Sequence, residues 1–176
     1  MIDFSQSHFS LFALPEQFAL DGKALDSQYR ARVAEYHPDK FATAADAERR
    51  LSLQAATHIN EAYQTLKAPL SRARYLLLRH GVDTQEETNT AMPMDFLMAQ
   101  MEWREGIAEA KASQNVDALE SLAREMRAEI TALEDTLALQ LDQLQDFAAA
   151  ALSVRKLRFM EKLDQEIGDA IEAVLY

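Results

Sequence analysis

The chain has no cysteine. Disulfides, thiolate nucleophiles and thiolate-held metals are thereby excluded, and a reducing compartment suits it. Glycine and proline are scarce, four of each in 176 residues. With Ala, Leu, Glu, Gln and Arg common, the backbone favours helices. Long apolar runs are missing too: the longest is Phe147 to Leu152, far short of a membrane span. Met1-Ile2-Asp3-Phe4 lacks the basic start and apolar centre of a signal peptide, and no Arg-rich transit segment is visible. Positive charge is short in the second half. Residues 1–80 hold 10 Lys and Arg against 9 Asp and Glu, residues 81–176 hold 8 against 20, and the net charge is -11. An acidic second half argues against nucleic acid as a partner there. The asymmetry points to two domains with different partners, and the length suits one or two small domains with their own cores.

What is present is helical periodicity, punctuated at a few places. Ser7 can cap a short helix through His8, Phe9, Leu11, Phe12 and Leu14, closed by Pro15. Asp21 reads as the cap of a second helix, on which Leu25, Tyr29, Val33 and Tyr36 form one apolar stripe. Lys23, Arg30 and Arg32 fall off that stripe and give the helix a basic side. Pro38 has no amide proton and drives His37 out of the α region, so this helix stops at Tyr36-His37-Pro38-Asp39-Lys40. A long helix is expected from about Thr43 to Leu66, with Leu51, Ala55, Ile59, Ala62, Tyr63 and Leu66 as its stripe. The two make an antiparallel hairpin with His-Pro-Asp at its tip. Pro69 opens a further helix carrying Leu70, Ala73, Leu76 and Leu77, and Gly81 follows its end.

A short helix, a basic helix, Tyr36-His37-Pro38-Asp39-Lys40 and then Asn60-Glu61-Ala62-Tyr63-Gln64-Thr65-Leu66 resemble the J domain of Hsp70 co-chaperones. The resemblance implies that His37, Pro38, Asp39 and Lys40, with Tyr29 and Arg30 on the basic helix, dock on ATP-bound Hsp70 and stimulate its ATPase. Glu35 departs from the lysine that many J domains carry there, which thins the positive face and suggests a specialised Hsp70. The residues agree with such a role. An exposed Asp at a rigid turn can accept a charge-assisted bond from a partner arginine, and Arg30 and Arg32 would steer an acidic surface toward it. A catalytic reading of His37 and Asp39 is weaker, since no nucleophile stands beside them and a hairpin tip excludes little water.

Gly81 to Met92 is polar and reads as a linker. Pro93 then opens a helix to about Ala112. At 100° per residue from Phe96, Trp103, Ile107 and Ala110 fall at about -20°, 20° and -40°. Met94, Leu97, Met98 and Met101 fall at about 160°, 100°, 200° and 140°. A helix in a small bundle has one side for its core. The second, Met-rich stripe, bordered by Glu102, Glu105 and Glu109, therefore reads as a partner surface; burial against the first domain is the alternative. Asn115 or Asp117 can cap the next helix, whose Leu119, Leu122, Met126, Ile130, Leu133, Leu137, Leu141 and Leu144 follow a heptad seam. Asp146 starts the last helix, with Ala150, Val154, Leu157, Ile167, Ile171, Val174 and Leu175 along one side. Phe159 lies about 200° from Leu157, off that stripe, and could join the Met patch. The expected fold is all-α: a J domain over residues 1–80, a linker over 81–92 and an antiparallel three-helix bundle over 93–176.

Phe96-Leu97-Met98, Glu102-x-Arg104-Glu105 and Val154-Arg155-Lys156-Leu157-Arg158-Phe159 bring the whole chain close to the HscB family, the type III J-proteins of iron–sulfur cluster assembly. The resemblance implies two partners, an IscU-like cluster scaffold bound by the bundle and a specialised HscA-like Hsp70 bound by the J domain. It places scaffold contacts at Leu97, Met98, Met101, Glu102, Glu105, Glu109 and Phe159. It implies a co-chaperone without catalytic residues, metal or cofactor, and, lacking the cysteine-bearing extension of eukaryotic members, a bacterial cytoplasmic one. The alternatives are a J-protein for another client, a bundle metalloenzyme and a purely structural coiled coil. All four histidines (8, 37, 58 and 80) fall in the first half, away from any bundle metal site. A coiled coil leaves the His-Pro-Asp tip unexplained.

Overall fold

Capping residues and prolines divide the chain into seven α-helices. The structure, a computed structural model, describes residues 1–176 and separates into two units, Met1–Arg79 and His80–Tyr176.

In the first unit Ser7 accepts from the Ser10 amide and starts α1, His8–Leu11. This helix is one turn shorter than the apolar pattern suggests, because Phe12 ends it and Ala13 turns into the left-handed region at φ 52. Asp21 caps α2, Gly22–Glu35, by accepting from the amides of Lys23 and Ala24, an arrangement worth about 1 kcal/mol. Pro38–Phe41 forms a single 3₁₀ turn, and α3 runs Asp46–Lys67. That is three residues later than the periodicity suggests, since Ala45 is still extended. Pro69 is the first residue of α4, Pro69–Arg79, and Gly81 takes φ 75 just beyond. Phe9, Phe12, Leu25, Ile59, Leu66 and Leu77 are fully buried at the centre. Each such side chain contributes about 1.5–3 kcal/mol of burial.

In the second unit Pro93 precedes α5, Met94–Ala112. Asn115 caps α6, Val116–Ala138, and Asp146 caps α7, Phe147–Leu175. The three helices pack against one another around Phe96, Ile107, Ala110, Leu119, Ala123, Met126, Met160, Leu163 and Ile167. The heptad seam of α6 does not run to its end. Leu139–Leu144 widens into a π-helical turn, closed where the Asp146 amide donates to the Gln140 carbonyl at 2.9 Å. Leu141 stays buried while Leu144 is left 63% exposed. Leu175 is likewise exposed at the end of α7, whose buried stripe instead includes Ser153, Met160 and Leu163.

Residues 81–92 lie on this second unit. Thr84 is buried, and Arg155 of α7 donates from Nη1 to its carbonyl at 3.0 Å. The His80 ring stacks on Phe147 at 4.3 Å.

Candidate functional site

The tip of the α2–α3 hairpin is built by its own backbone. Tyr36 ends α2 and is buried, which anchors the loop to the unit's core. His37 is extended, as a residue before proline must be, and Pro38 opens the 3₁₀ turn where its missing amide proton costs nothing. The Asp39 amide donates to His37 Nδ1 at 3.2 Å, and the Lys40 amide donates to the His37 carbonyl at 3.0 Å. The turn is thus rigid while its side chains face solvent. Asp39 is 91% exposed, with its carboxylate 3.6 Å from His37 Nδ1. Lys40 and Pro38 are exposed as well. Such a tip can offer a carboxylate and an imidazole to another protein, and its exposure leaves no water-excluding cleft for chemistry.

The helix leading into the tip differs from its sequence reading in two respects. Arg32 is held by Glu35 at 2.8 Å, one turn along, so its charge is spent within α2. Arg30 and Lys23 remain as exposed cations. Tyr29, expected to face a partner, is only half exposed. Its ring stacks on Tyr63 at 3.9 Å and its hydroxyl donates to Asn60 at 2.5 Å. Tyr63 in turn donates to Asp26 at 2.7 Å. This ladder pins α2 to α3 and fixes the angle at which the tip is presented. Its partners lie 31 and 37 residues apart in the chain, a pairing that helical period alone does not reveal.

The second surface is α5. Phe96, Ile107 and Ala110 are buried, and Trp103 is packed against the bundle with its Nε1 donating to Glu125 at 3.3 Å. On the opposite side Met94, Leu97, Met98 and Met101 are 72%, 37%, 56% and 70% exposed. Glu102, Glu105 and Glu109 are exposed beside them. Phe159 departs from the reading of a free surface aromatic. It is partly buried against the bundle core and meets Phe96 edge-on at 6.4 Å. Phe96 of α5 packs against its ring, and the rest of the side chain stays partly exposed. Met94, the most exposed of the four, was visible in the pattern as part of the same stripe.

Elsewhere, His8 is stacked on Tyr75 at 4.3 Å and faces His58 at 5.6 Å. Burial pushes its pKa down, helped by the charges of His58 and Arg79 and opposed by Glu61. No group of three or more His, Asp or Glu side chains is placed to hold a metal ion. No helix is long and apolar enough to cross a membrane.

Comparison with known proteins matches both units of the chain. The DnaJ domain family matches residues 8–75, and a family described as the HSCB C-terminal oligomerisation domain matches residues 92–168. The co-chaperone protein HscB homolog of Chromobacterium violaceum is 61% identical over 173 residues, 98% of each chain. Chaperone HscB from Vibrio cholerae matches with a TM-score of 0.85 at 39% identity, over 96% of this chain and 99% of that one. Human co-chaperone HscB matches with a TM-score of 0.88 at 30% identity, over 95% and 83%. With a J domain at one end, an HscB-type helical bundle at the other and close relatives along nearly its full length, the chain belongs to the HscB family of co-chaperones.

Proposed function

We propose that this co-chaperone binds an iron–sulfur cluster scaffold protein of the IscU type through α5 and delivers it to a specialised, HscA-like Hsp70. The J unit stimulates that Hsp70's ATPase, and the resulting grip on the scaffold promotes cluster transfer. The observation that carries the reading is the two-sided α5. Its Phe96 side is buried, its Leu97, Met98 and Met101 side is open, and acids line that opening. Leu97, Met98, Met101, Glu102, Glu105, Glu109 and the accessible edge of Phe159 form the scaffold contact. His37, Pro38, Asp39, Lys40 and Arg30 form the Hsp70 contact, with Tyr29 setting their geometry from behind. The protein performs no reaction itself. Joining the two sites in one chain raises the effective concentration of scaffold at the Hsp70. It works in the bacterial cytoplasm.

Steady-state ATP turnover by the cognate Hsp70, with wild type and His37→Gln, each with and without scaffold, tests the reading. Stimulation by wild type, strengthened by scaffold and lost in His37→Gln, is the expected pattern. Stimulation indifferent to scaffold would transfer the J unit to another client. No stimulation by the folded chain would overturn the co-chaperone mechanism.

A further inference from the structure

The basic run Val154 to Phe159 has two arginines that the client surface does not absorb. Both turn toward residues 81–92. Arg155 Nη1 donates to the Thr84 carbonyl at 3.0 Å, and Thr84 is buried although Asp83 and Gln85 on either side are exposed. Arg158 Nη2 lies 3.7 Å from the Glu87 carboxylate, in an exposed setting. At its end the segment is held again, where Met92 packs against the core that contains Phe96. Between these points it folds on itself. Thr84 Oγ1 donates to Glu86 Oε2 at 2.5 Å, and the Asn89 amide donates to the Gln85 carbonyl at 2.8 Å.

The segment feeds straight into α5. There Pro93 provides no side-chain cap, unlike Asp21, Asn115 and Asp146 at the starts of α2, α6 and α7. An uncapped start leaves amide groups that must be satisfied by water and favours fraying. The first two turns of α5 carry Met94, Leu97 and Met98. What holds these turns is the burial of Phe96 and the fastening of residues 81–92 just before them. The two arginines differ in strength. A guanidinium bonded to a buried carbonyl is a charge-assisted bond, whereas an exposed pair is worth little.

We propose that Arg155 is a positioning residue. By gripping the Thr84 carbonyl it fastens residues 81–92 to α7 and keeps the first two turns of α5 in the geometry that the client reads. This rests on the reading of the α5 stripe as the client surface. Arg158 contributes little to the same fastening.

Full-length wild type, Arg155→Ala, Arg155→Lys and Arg158→Ala would be compared by amide hydrogen exchange, by calorimetric titration with the scaffold protein, and by scaffold-free stimulation of the Hsp70. In Arg155→Ala exchange over residues 84–98 accelerates about tenfold and scaffold affinity falls about tenfold, the scale of one lost charged hydrogen bond. Exchange in α6 and scaffold-free stimulation stay as in wild type. Arg155→Lys, which keeps one charged donor, recovers most of both losses, and Arg158→Ala shows neither. Unchanged exchange over 84–98 would overturn the proposal, as would faster exchange with undiminished affinity. Acceleration spread through α6 and α7 would make Arg155 a general stabiliser and overturn it as well. A wild-type chain that fails to bind scaffold would sink the client reading itself, and that result appears before any variant is compared.

Discussion

The Asp39 amide donates to His37 Nδ1, so the backbone of one residue in the tip is capped by the side chain of another. Accepting at Nδ1 leaves the imidazole proton on Nε2. His37 thus has two separable duties, shaping the turn and presenting a ring.

Asparagine can reproduce the first duty, because its Oδ1 occupies the place of Nδ1 and closes the same kind of turn. Glutamine places its oxygen one bond too far. A neutral hydrogen bond is worth about 1 kcal/mol, so His37→Asn should retain about five times more Hsp70 stimulation than His37→Gln. ATP turnover at equal concentrations measures this. Equal loss in both would mean that the ring, and not the cap, carries the effect.

Asp39 is nearly free of the protein that bears it. Asp39→Asn should therefore leave the unfolding midpoint unchanged within about 0.5 kcal/mol, yet abolish stimulation. A clear drop in stability would show that the carboxylate holds the loop together, and the contact role would lapse.

The two sides of α5 should respond oppositely to alanine. Phe96→Ala removes a buried ring from the bundle core and should cost about 3–5 kcal/mol of stability. Leu97→Ala with Met98→Ala should cost well under that, while weakening scaffold binding by about 2 kcal/mol or more. Denaturant unfolding and calorimetric titration read the two quantities separately. A double variant that binds scaffold normally would remove the stripe from the client surface.

Acid should weaken the first unit through His8. Its pKa is lowered in the folded chain, mainly by burial, from the usual value of 6.5. As pH falls through 6.5 the unfolded chain takes up the proton first, so stability rises with pH across this window. The contribution is complete above the unfolded value and is lost as pH drops toward the folded one. The urea midpoint should fall between about pH 7.5 and pH 5. His8→Phe, which keeps a ring against Tyr75, should flatten that dependence. A midpoint that falls equally in both chains would assign it to other groups.

Much of this architecture was legible from local chemistry. Asp21 and Asp146 cap the helices they were expected to cap, Asn115 rather than Asp117 caps α6, and Pro69 begins the helix it was expected to begin. The two stripes of α5 could be separated by angle alone, because a 100° step per residue holds throughout an uninterrupted helix. Legibility failed where partners distant in sequence decide the outcome. Tyr29 lay on the apolar stripe of α2 and was also expected to face a partner, and only the arrival of Tyr63 and Asn60 beside it shows how its ring and hydroxyl are held. Phe159 looked like a surplus aromatic because its angle on α7 says nothing of Phe96 packing against it. The polar composition of residues 81–92 gave no hint that Thr84 would be buried with its carbonyl held by Arg155. Leu144 kept its place in the heptad, but a π-helical turn changes the residues per turn and rotates it into solvent.

The open stripe of α5 also gathers three oxidisable side chains on one face of the chain. With no cysteine to react first, its seven methionines are the only oxidisable sulfur it has. Met126 and Met160 are sealed in the bundle, while Met94, Met98 and Met101 stand side by side in water. Peroxide would turn those three thioethers into polar sulfoxides without disturbing the core. On the proposed reading of this stripe as the client surface, the same sulfur that lets it adapt to a client would then repel that client, until a reductase restored the thioether.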